Sequence, residues 1–479
     1  MSRIGSDDWV EQQELRTEYY TGFTGPARRA FDKVGPGPRF FAFLAICAIF
    51  PFFPSVADSD FLIRVGVNVL LFALLALGLN IVVGWAGLLD LGYVAFYGFG
   101  AYMYAWLSSS QFDIHLPTEL VIPIVITASA LLGLLLGLPS WRLVGDYLAI
   151  TTLFFAQIFV ELMLNLDRLT PPWSDEPLDV TGGPNGIPGI DDMRIFTIDI
   201  EQTRDYYFLL LVIFAVVVVG LYYINESRTG RGWRASREDP LAAELMTTPV
   251  NRLKLLAFAM GAAVAGLTGS VFAAVQTGVF PQNFEVALLI MIYAALILGG
   301  AGSISGAVLG AIIIAAVPEI LRTPENARYL FYGVLIASLL IVVRPWKRVA
   351  AILAAVIVFG FAVHEIVAFI WPDVVTGVED GGLGGLLDSW VLVIDDHETL
   401  VNFAFVFLVA AVLILTQLRG ESRLLLLVPT IYLAAFVWEN RLVTEPSVTR
   451  QLLFGAILVA MMTKRPQGLL GTPRVENPI

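Results

Sequence analysis

One cysteine, Cys47, and three widely separated histidines, His115, His364 and His397, are all that the 479 residues offer of the usual soft metal ligands. A single thiol excludes an internal disulfide and any Cys-based metal site, and Cys47, inside an apolar run, reads as a small buried hydrophobe. Ligand sets usually include close i, i+4 or Cys-x-x-Cys pairs, so no metal cluster is expected from the histidines. The dipeptide Gly-Lys occurs nowhere. A phosphate-binding P-loop needs it, followed by Ser or Thr, so the chain carries no such nucleotide site. Charge is scarce as well: 15% of residues are charged and 57% hydrophobic, with a mean hydropathy of +0.77. Soluble domains hold roughly 45–50% apolar and 25% charged residues, which makes a soluble protein untenable. The net charge of −12 is not a nucleic-acid signature, and no nucleic acid is expected among the partners.

What the chain has in abundance is apolar runs long enough to cross roughly 30 Å of hydrocarbon at 1.5 Å per residue. Fourteen spans are expected, ten at 40–56, 61–83, 93–107, 120–138, 143–165, 206–224, 253–275, 286–298, 304–321 and 329–343, and four more at 349–370, 400–418, 424–438 and 451–463. The expected organisation is a polar tail over 1–39, a core of about ten spans over 40–345, an additional block over 346–463 and a tail over 464–479. The first forty residues have no apolar segment of the kind a cleavable signal peptide needs. With the N-terminus inside, the basic junctions at Ser140–Arg142, Arg228–Arg237, Arg344–Arg348, Arg419–Arg423 and Lys464–Arg465 all fall on the cytoplasmic side, as the positive-inside rule requires. Acidic stretches, among them Asp373–Glu398 without one Lys or Arg, collect on the other side. Both termini are then cytoplasmic. Ala327–Gly333 is echoed by Thr449–Gly455, each leading to an Arg-Pro pair, which suggests that the last four spans were inserted ahead of a shared ending.

Three segments have a mechanism to offer. The first is the interspan loop 225–252. Glu238 and Asp239 precede Pro240, a favourable opening for a helix. Leu241, the Ala242-Ala243 pair, Glu244, Leu245 and Met246 then make one or two amphipathic turns, ended by Thr247, Thr248 and Pro249. Such a helix fits a groove on a soluble partner, with Ala243 small enough to seat there; a solvated interfacial loop is the plain alternative. The second is glycine at membrane depth: Gly84, Gly87 and Gly92 around Asp90, following Asn80, and later Gly302, Gly306 and Gly310 at intervals of four. The first cluster suggests a broken or re-entrant helix, tolerated only within protein or beside a water-filled cavity. The second suggests a helix face without side chains, for close packing or as a pore-lining hinge. The third is Val180–Gly189, VTGGPNGIPG, which is turn chemistry throughout and reads equally as a structured cap for a docking protein or as a rigid turn.

These residues resemble a known family. The stretches GLNIVVGWAGLLDLGYVAFYGFGAY (78–102), GDYLAITTLFF (145–155), TGGPNGI (181–187), SRTGRGWRASREDPLAAELM with NRLKLLAF (227–258), LGGAGSISGAVLGA (298–311) and RPQGLLG (465–471) are similar, in order, to the inner-membrane permeases of branched-chain amino acid ABC importers. The resemblance implies a second related permease, two ATPases that hold the ATP and Mg, and a periplasmic solute-binding protein. It assigns ATPase contact to Glu238–Met246 and leaves this chain without a cofactor or catalytic residue of its own. Two positions depart from the pattern: Thr247 stands where glycine is usual, and Asp90 where serine is. An ion-coupled carrier or channel for a small polar solute is the competing class, although no relay of intramembrane acids is evident.

Overall fold

The computed structural model describes residues 35–53, 56, 60–141, 145–168, 178–195, 198–320, 346–370, 390–392, 398–417, 421–444 and 468–470, with shorter pieces at 328–329, 331–333, 335–336, 339–340 and 455. The span expected at 329–343 is therefore seen only in helical fragments. Apart from Gly455, the span at 451–463 and the echo of Ala327–Gly333 lie outside the described residues, as do Arg344, the junction at Lys464, His397 and nearly all of both tails.

Long apolar runs become helices because only a helix satisfies every backbone group within hydrocarbon. Helix α1 (Pro36–Ile49) opens with proline in its first turn, and α2 (Asp60–Leu79) continues into a π-helical segment, Asn80–Trp85. Then follow α3 (Tyr93–Leu107), α4 (Thr118–Gly137), α5 (Asp146–Asn165) and α6 (Thr203–Glu226). The interspan loop holds α7 (Arg228–Glu238) and α8 (Pro240–Leu245), and beyond it run α9 (Val250–Gln276), α10 (Val286–Gly299) and α11 (Ile304–Ile320). The C-terminal helices are α12 (Trp346–Ile370), α13 (Glu398–Gln417) and α14 (Glu421–Thr444). Among the described residues seven helices are long and apolar enough to cross a membrane, and four shorter apolar ones join them. Strand is confined there to pairs of two or three residues. The all-α polytopic class is what the apolar runs predict. Helix α3 has 15 residues, about 22 Å of helix. It is buried nearly all round, as an internal helix rather than a lipid-facing one is.

Two compact units divide the chain, 1–296 with 301–311 and 297–300 with 312–479. In the first, α9 packs against α3 and α4, and α2 against α6 and α9. Small residues allow this: a Cβ at Gly100 would collide with the backbone of Gly266, and one at Gly133 would sit 2.6 Å from the Phe258 carbonyl oxygen. Close backbone approach is the main source of helix association where lipid removes the hydrophobic drive. Tyr97, Tyr102, Phe159, Phe272 and Phe284 fill the neighbouring space, with ring centroids 5.3 to 6.4 Å apart.

At the end of α6 away from α7, the VTGGPNGIPG segment is tied down. Gly182, Gly183, Gly186 and Gly189 all have positive φ. Strand β3 (Ile187–Pro188) pairs with the two-residue strand Gly278–Val279, which follows α9. A backbone held in this way is compatible with both readings open from sequence, a structured cap for a docking protein and a rigid turn. Beside it the hairpin of β1 (Ser108–Ser109) and β2 (Ile114–His115) brings His115 Nδ1 to 2.5 Å from Asp191 Oδ2. That hydrogen bond, aided by the charge of Asp191, raises the His115 pKa above its ordinary value. A raised folded pKa means that the contact contributes stability in full below the ordinary imidazole value of about 6.5 and loses it as pH climbs through the folded value. In a titration of the three imidazole resonances, His115 is expected to show a midpoint above that of the free side chain, and Asp191→Asn to bring it back down. A wild-type midpoint at or below the free value would refute the pairing.

The second unit has its own core, Val391, Leu392, Ala435, Phe436 and Val437, covered by Phe331, Tyr332 and Trp390. Phe331 stacks on Trp438 at 4.5 Å and 9°. Arg328 Nε lies 2.7 Å from Glu439 Oε2, and the Tyr332 hydroxyl donates to Glu439 Oε1 at 3.0 Å. The C-terminal segment caps α10: Leu469 N–H donates to Leu298 O and Leu470 N–H to Gly299 O, each at 2.9 Å. These are carbonyls that a helix end leaves without partners, which gives the Gly-Leu-Leu of the RPQGLLG stretch a structural reason.

Candidate functional site

Helix α2 is apolar from Val69 to Leu79 and then meets Asn80, Gly84 and Gly87. An added Cβ at Gly84 would collide with Asn80 Oδ1, so the glycine leaves room for that side chain where the turns widen into the π segment. Asn80 Oδ1 accepts the N–H of Gly302 at 2.7 Å. The Trp85 indole N–H donates to Gly302 O at 3.0 Å. Gly302 therefore sits between two side chains of the break, held at φ +94. A guanidinium completes the cluster, since Arg237 of α7 donates through Nη1 to the Gly84 carbonyl. Beyond Gly87, at φ +70, the chain turns through a loop to Gly92 and α3.

Asp90 lies in that loop, fully buried. Its Oδ1 accepts the Gly92 N–H at 2.9 Å, and its backbone carbonyl accepts the Tyr293 hydroxyl at 2.6 Å. Thr152 Oγ1 accepts the Leu91 N–H at 2.9 Å. Oδ2 of Asp90 has no hydrogen-bond partner among the described residues. Asp90 is thus part of the interior of this unit.

The loop helices are capped by design of the sequence. Ser227 accepts the Gly230 N–H to start α7. Asp239 Oδ1 accepts from Leu241 and Ala242 at 2.9 and 3.0 Å to start α8, with Pro240 in the first turn. At the far end Thr247 has φ +64, a left-handed conformation that strains a β-branched residue and suits glycine. Glycine, the residue that the resemblance leads one to expect here, would adopt it without that strain.

Sequence expectations about individual residues fare unevenly. Asn80, Gly84, Gly87 and Gly302 meet at the break, and Asp90 and Gly92 follow in the adjoining loop. Gly302 does not share a helix face with Gly306 and Gly310: it precedes α11, in a turn that its positive φ imposes, while the other two are buried on that helix. Ala243 is not the docking residue expected. It is 6% exposed and belongs to the chain's own packing, while Leu241, Leu245 and Met246 are 69%, 79% and 79% exposed. The α8 backbone points the alanine inward because capping by Asp239 fixes where the helix begins. The arginine-rich flank, read only as a topology signal, is helix α7. Missed altogether were Trp85 and Trp233, whose rings stack 6.1 Å apart at 22°, and Tyr293. The recurrence of Arg228, Arg231, Arg234 and Arg237 at three-residue steps was a legible sign of α7, since residues three apart are neighbours on a helix.

A polytopic α-helical chain with a spanning helix broken around buried polar groups, and with an exposed apolar helix between two spans, has the build of a membrane transport subunit. Residues 61–343 match the family described as "Branched-chain amino acid transport system / permease component", and the chain belongs to that family. It is a transport component rather than an enzyme. It is 35% identical over 329 residues to the high-affinity branched-chain amino acid transport system permease protein LivM of Salmonella typhimurium and of Escherichia coli, covering 64% of this chain and 72% of each relative. Similarity extends to the fructose import permease protein FruG of Bifidobacterium longum, 28% over 206 residues, 41% of this chain and 57% of that one. No solved structure matches.

Proposed function

We propose that this chain is the permease subunit of an ATP-binding-cassette importer in a bacterial inner membrane, with both termini cytoplasmic. Its cargo is a branched-chain or related amino acid handed over by a periplasmic binding protein. It forms a pathway with a second, related permease, and two ATPase subunits hold ATP and Mg and grip the loop between α6 and α9. The family match supplies the class, and the observation that carries the mechanism is α8. Three large apolar side chains, Leu241, Leu245 and Met246, stand exposed on a six-residue helix between two spans, a surface that hydrocarbon does not cover and a partner can. The break at Asn80–Gly87 supplies a place where one spanning helix changes course without breaking a full hydrogen-bond ladder.

Reconstitution of the chain with the second permease, the ATPases and the binding protein tests this. Leucine uptake into proteoliposomes is expected only with ATP and binding protein present, and not with this chain alone. Ion-driven uptake by the chain alone would establish a secondary carrier instead. FruG is called a fructose permease, so sugar uptake by the same complex is the outcome that would move the substrate class.

A further inference from the structure

Arg237 ties the loop helices to the break. Its stem lies over Gly87, where an added Cβ would come within 2.7 Å of Arg237 Cγ, and its head lies beside Gly302, where an added Cβ would come within 3.1 Å of Nη1. The Gly84 carbonyl accepts its N–H. One turn earlier on α7, Trp233 stacks on Trp85 and donates its indole N–H to Leu253 O of α9 at 2.7 Å. Trp85 in turn donates to Gly302. Both sides of the break, 80–87 and 302, are thus held from one face of α7.

The same end of α7, just past Arg237, is joined to α8. Asp239 N–H donates to Ala235 O of α7 at 3.2 Å, while Asp239 Oδ1 caps the first turn of α8. A push on α8 therefore moves α7, and α7 cannot move without carrying the guanidinium and the indole stack.

We infer that Arg237, with the Trp233–Trp85 stack, is the positioning group that transmits displacement of α8 to the broken helix, setting the arrangement of Asn80–Gly87 against Gly302. The inference rests on the importer reading, in which ATPases act on α8. It differs from a purely structural anchor in what its loss does: an anchor's loss lowers every activity together, whereas a transmitter's loss separates hydrolysis from uptake.

The experiment is the ratio of leucine taken up to ATP hydrolysed in proteoliposomes that hold the whole complex and binding protein. Arg237→Ala is expected to lower that ratio about tenfold, within the range typical of coupling between sites. Arg237→Lys, which keeps a donor and the charge, is expected to regain part of it. Where Arg237→Ala does not assemble, Trp85→Phe is read in the same way, because it keeps the ring stack and drops only the N–H to Gly302. A wild-type ratio in an assembled Arg237→Ala or Trp85→Phe complex, or a parallel fall of uptake and hydrolysis, overturns the inference. A wild-type complex without ATP-driven uptake removes the importer reading, and this inference with it.

Discussion

Glu439→Ala is expected to destabilise the C-terminal unit by about 3–5 kcal/mol, the cost of removing one member of a buried ion pair. Glu439 is 1% exposed and Arg328 15%, so the arginine left behind keeps its charge with little water to replace the carboxylate. The Tyr332 hydroxyl loses its acceptor in the same substitution. Replacing both members, as Arg328→Met with Glu439→Leu, is expected to recover most of the loss, since a well-packed apolar pair of similar volume is often as stable as a buried ionic one. Thermal unfolding of the detergent-solubilised chain checks both variants. Equal stability of wild type and Glu439→Ala would show that the pair contributes nothing. The same contacts bear on removal of residues 346–466. The sequence echo suggests that such a deletion restores a shorter ending, yet it also strips Arg328, Phe331 and Tyr332 of Glu439 and Trp438. The chain divides near residue 312 rather than at 346. A deletion that carries Arg328→Met is therefore expected to be recovered from membranes in higher yield than the deletion alone.

Helices were legible wherever one strong rule decided the outcome. Long, predominantly apolar runs gave α2, α4, α5, α6 and α9 to within a few residues, because hydrocarbon favours a helical backbone. The break after Leu79 was legible for a related reason: Asn80, Gly84, Gly87 and Asp90 are expensive in a lipid-facing helix, so their presence marks an interior. What fills that interior was not legible. Arg237 and Gly84 are 153 positions apart in the chain and Tyr293 and Asp90 203 apart, and no periodicity relates residues on different helices. The four-residue spacing of Gly302, Gly306 and Gly310 was true to helix geometry yet misleading, because a glycine at φ +94 ends the regular backbone before the helix starts. The inward turn of Ala243 likewise depends on a cap position one residue either way. A shift of one residue in a helix start rotates each side chain by about 100°.

Leu245→Arg is expected to strip the ATPases from the complex while leaving the chain itself folded and inserted. Leu245 is the centre of an exposed apolar patch with Leu241 and Met246 on a helix too short to be a span. A side chain that acts as a hot spot costs at least about 2 kcal/mol when lost, roughly thirtyfold in affinity, and a charge in place of leucine adds a desolvation penalty against an apolar groove. Ala243→Arg provides the contrast. Its site is internal, so a long charged side chain there is overpacking and a buried charge together, and the chain's own yield should fall first. Copurification of the ATPases with this chain, normalised to the chain recovered from membranes, separates the two: a low ratio at normal yield for Leu245→Arg, and a low yield for Ala243→Arg. Normal ATPase recovery and uptake with Leu241→Arg and Leu245→Arg combined would mean that α8 lies against lipid or solvent, and the docking role would have to be given up. An Ala243→Arg chain of normal yield that fails only to hold the ATPases would instead return the alanine face to the partner.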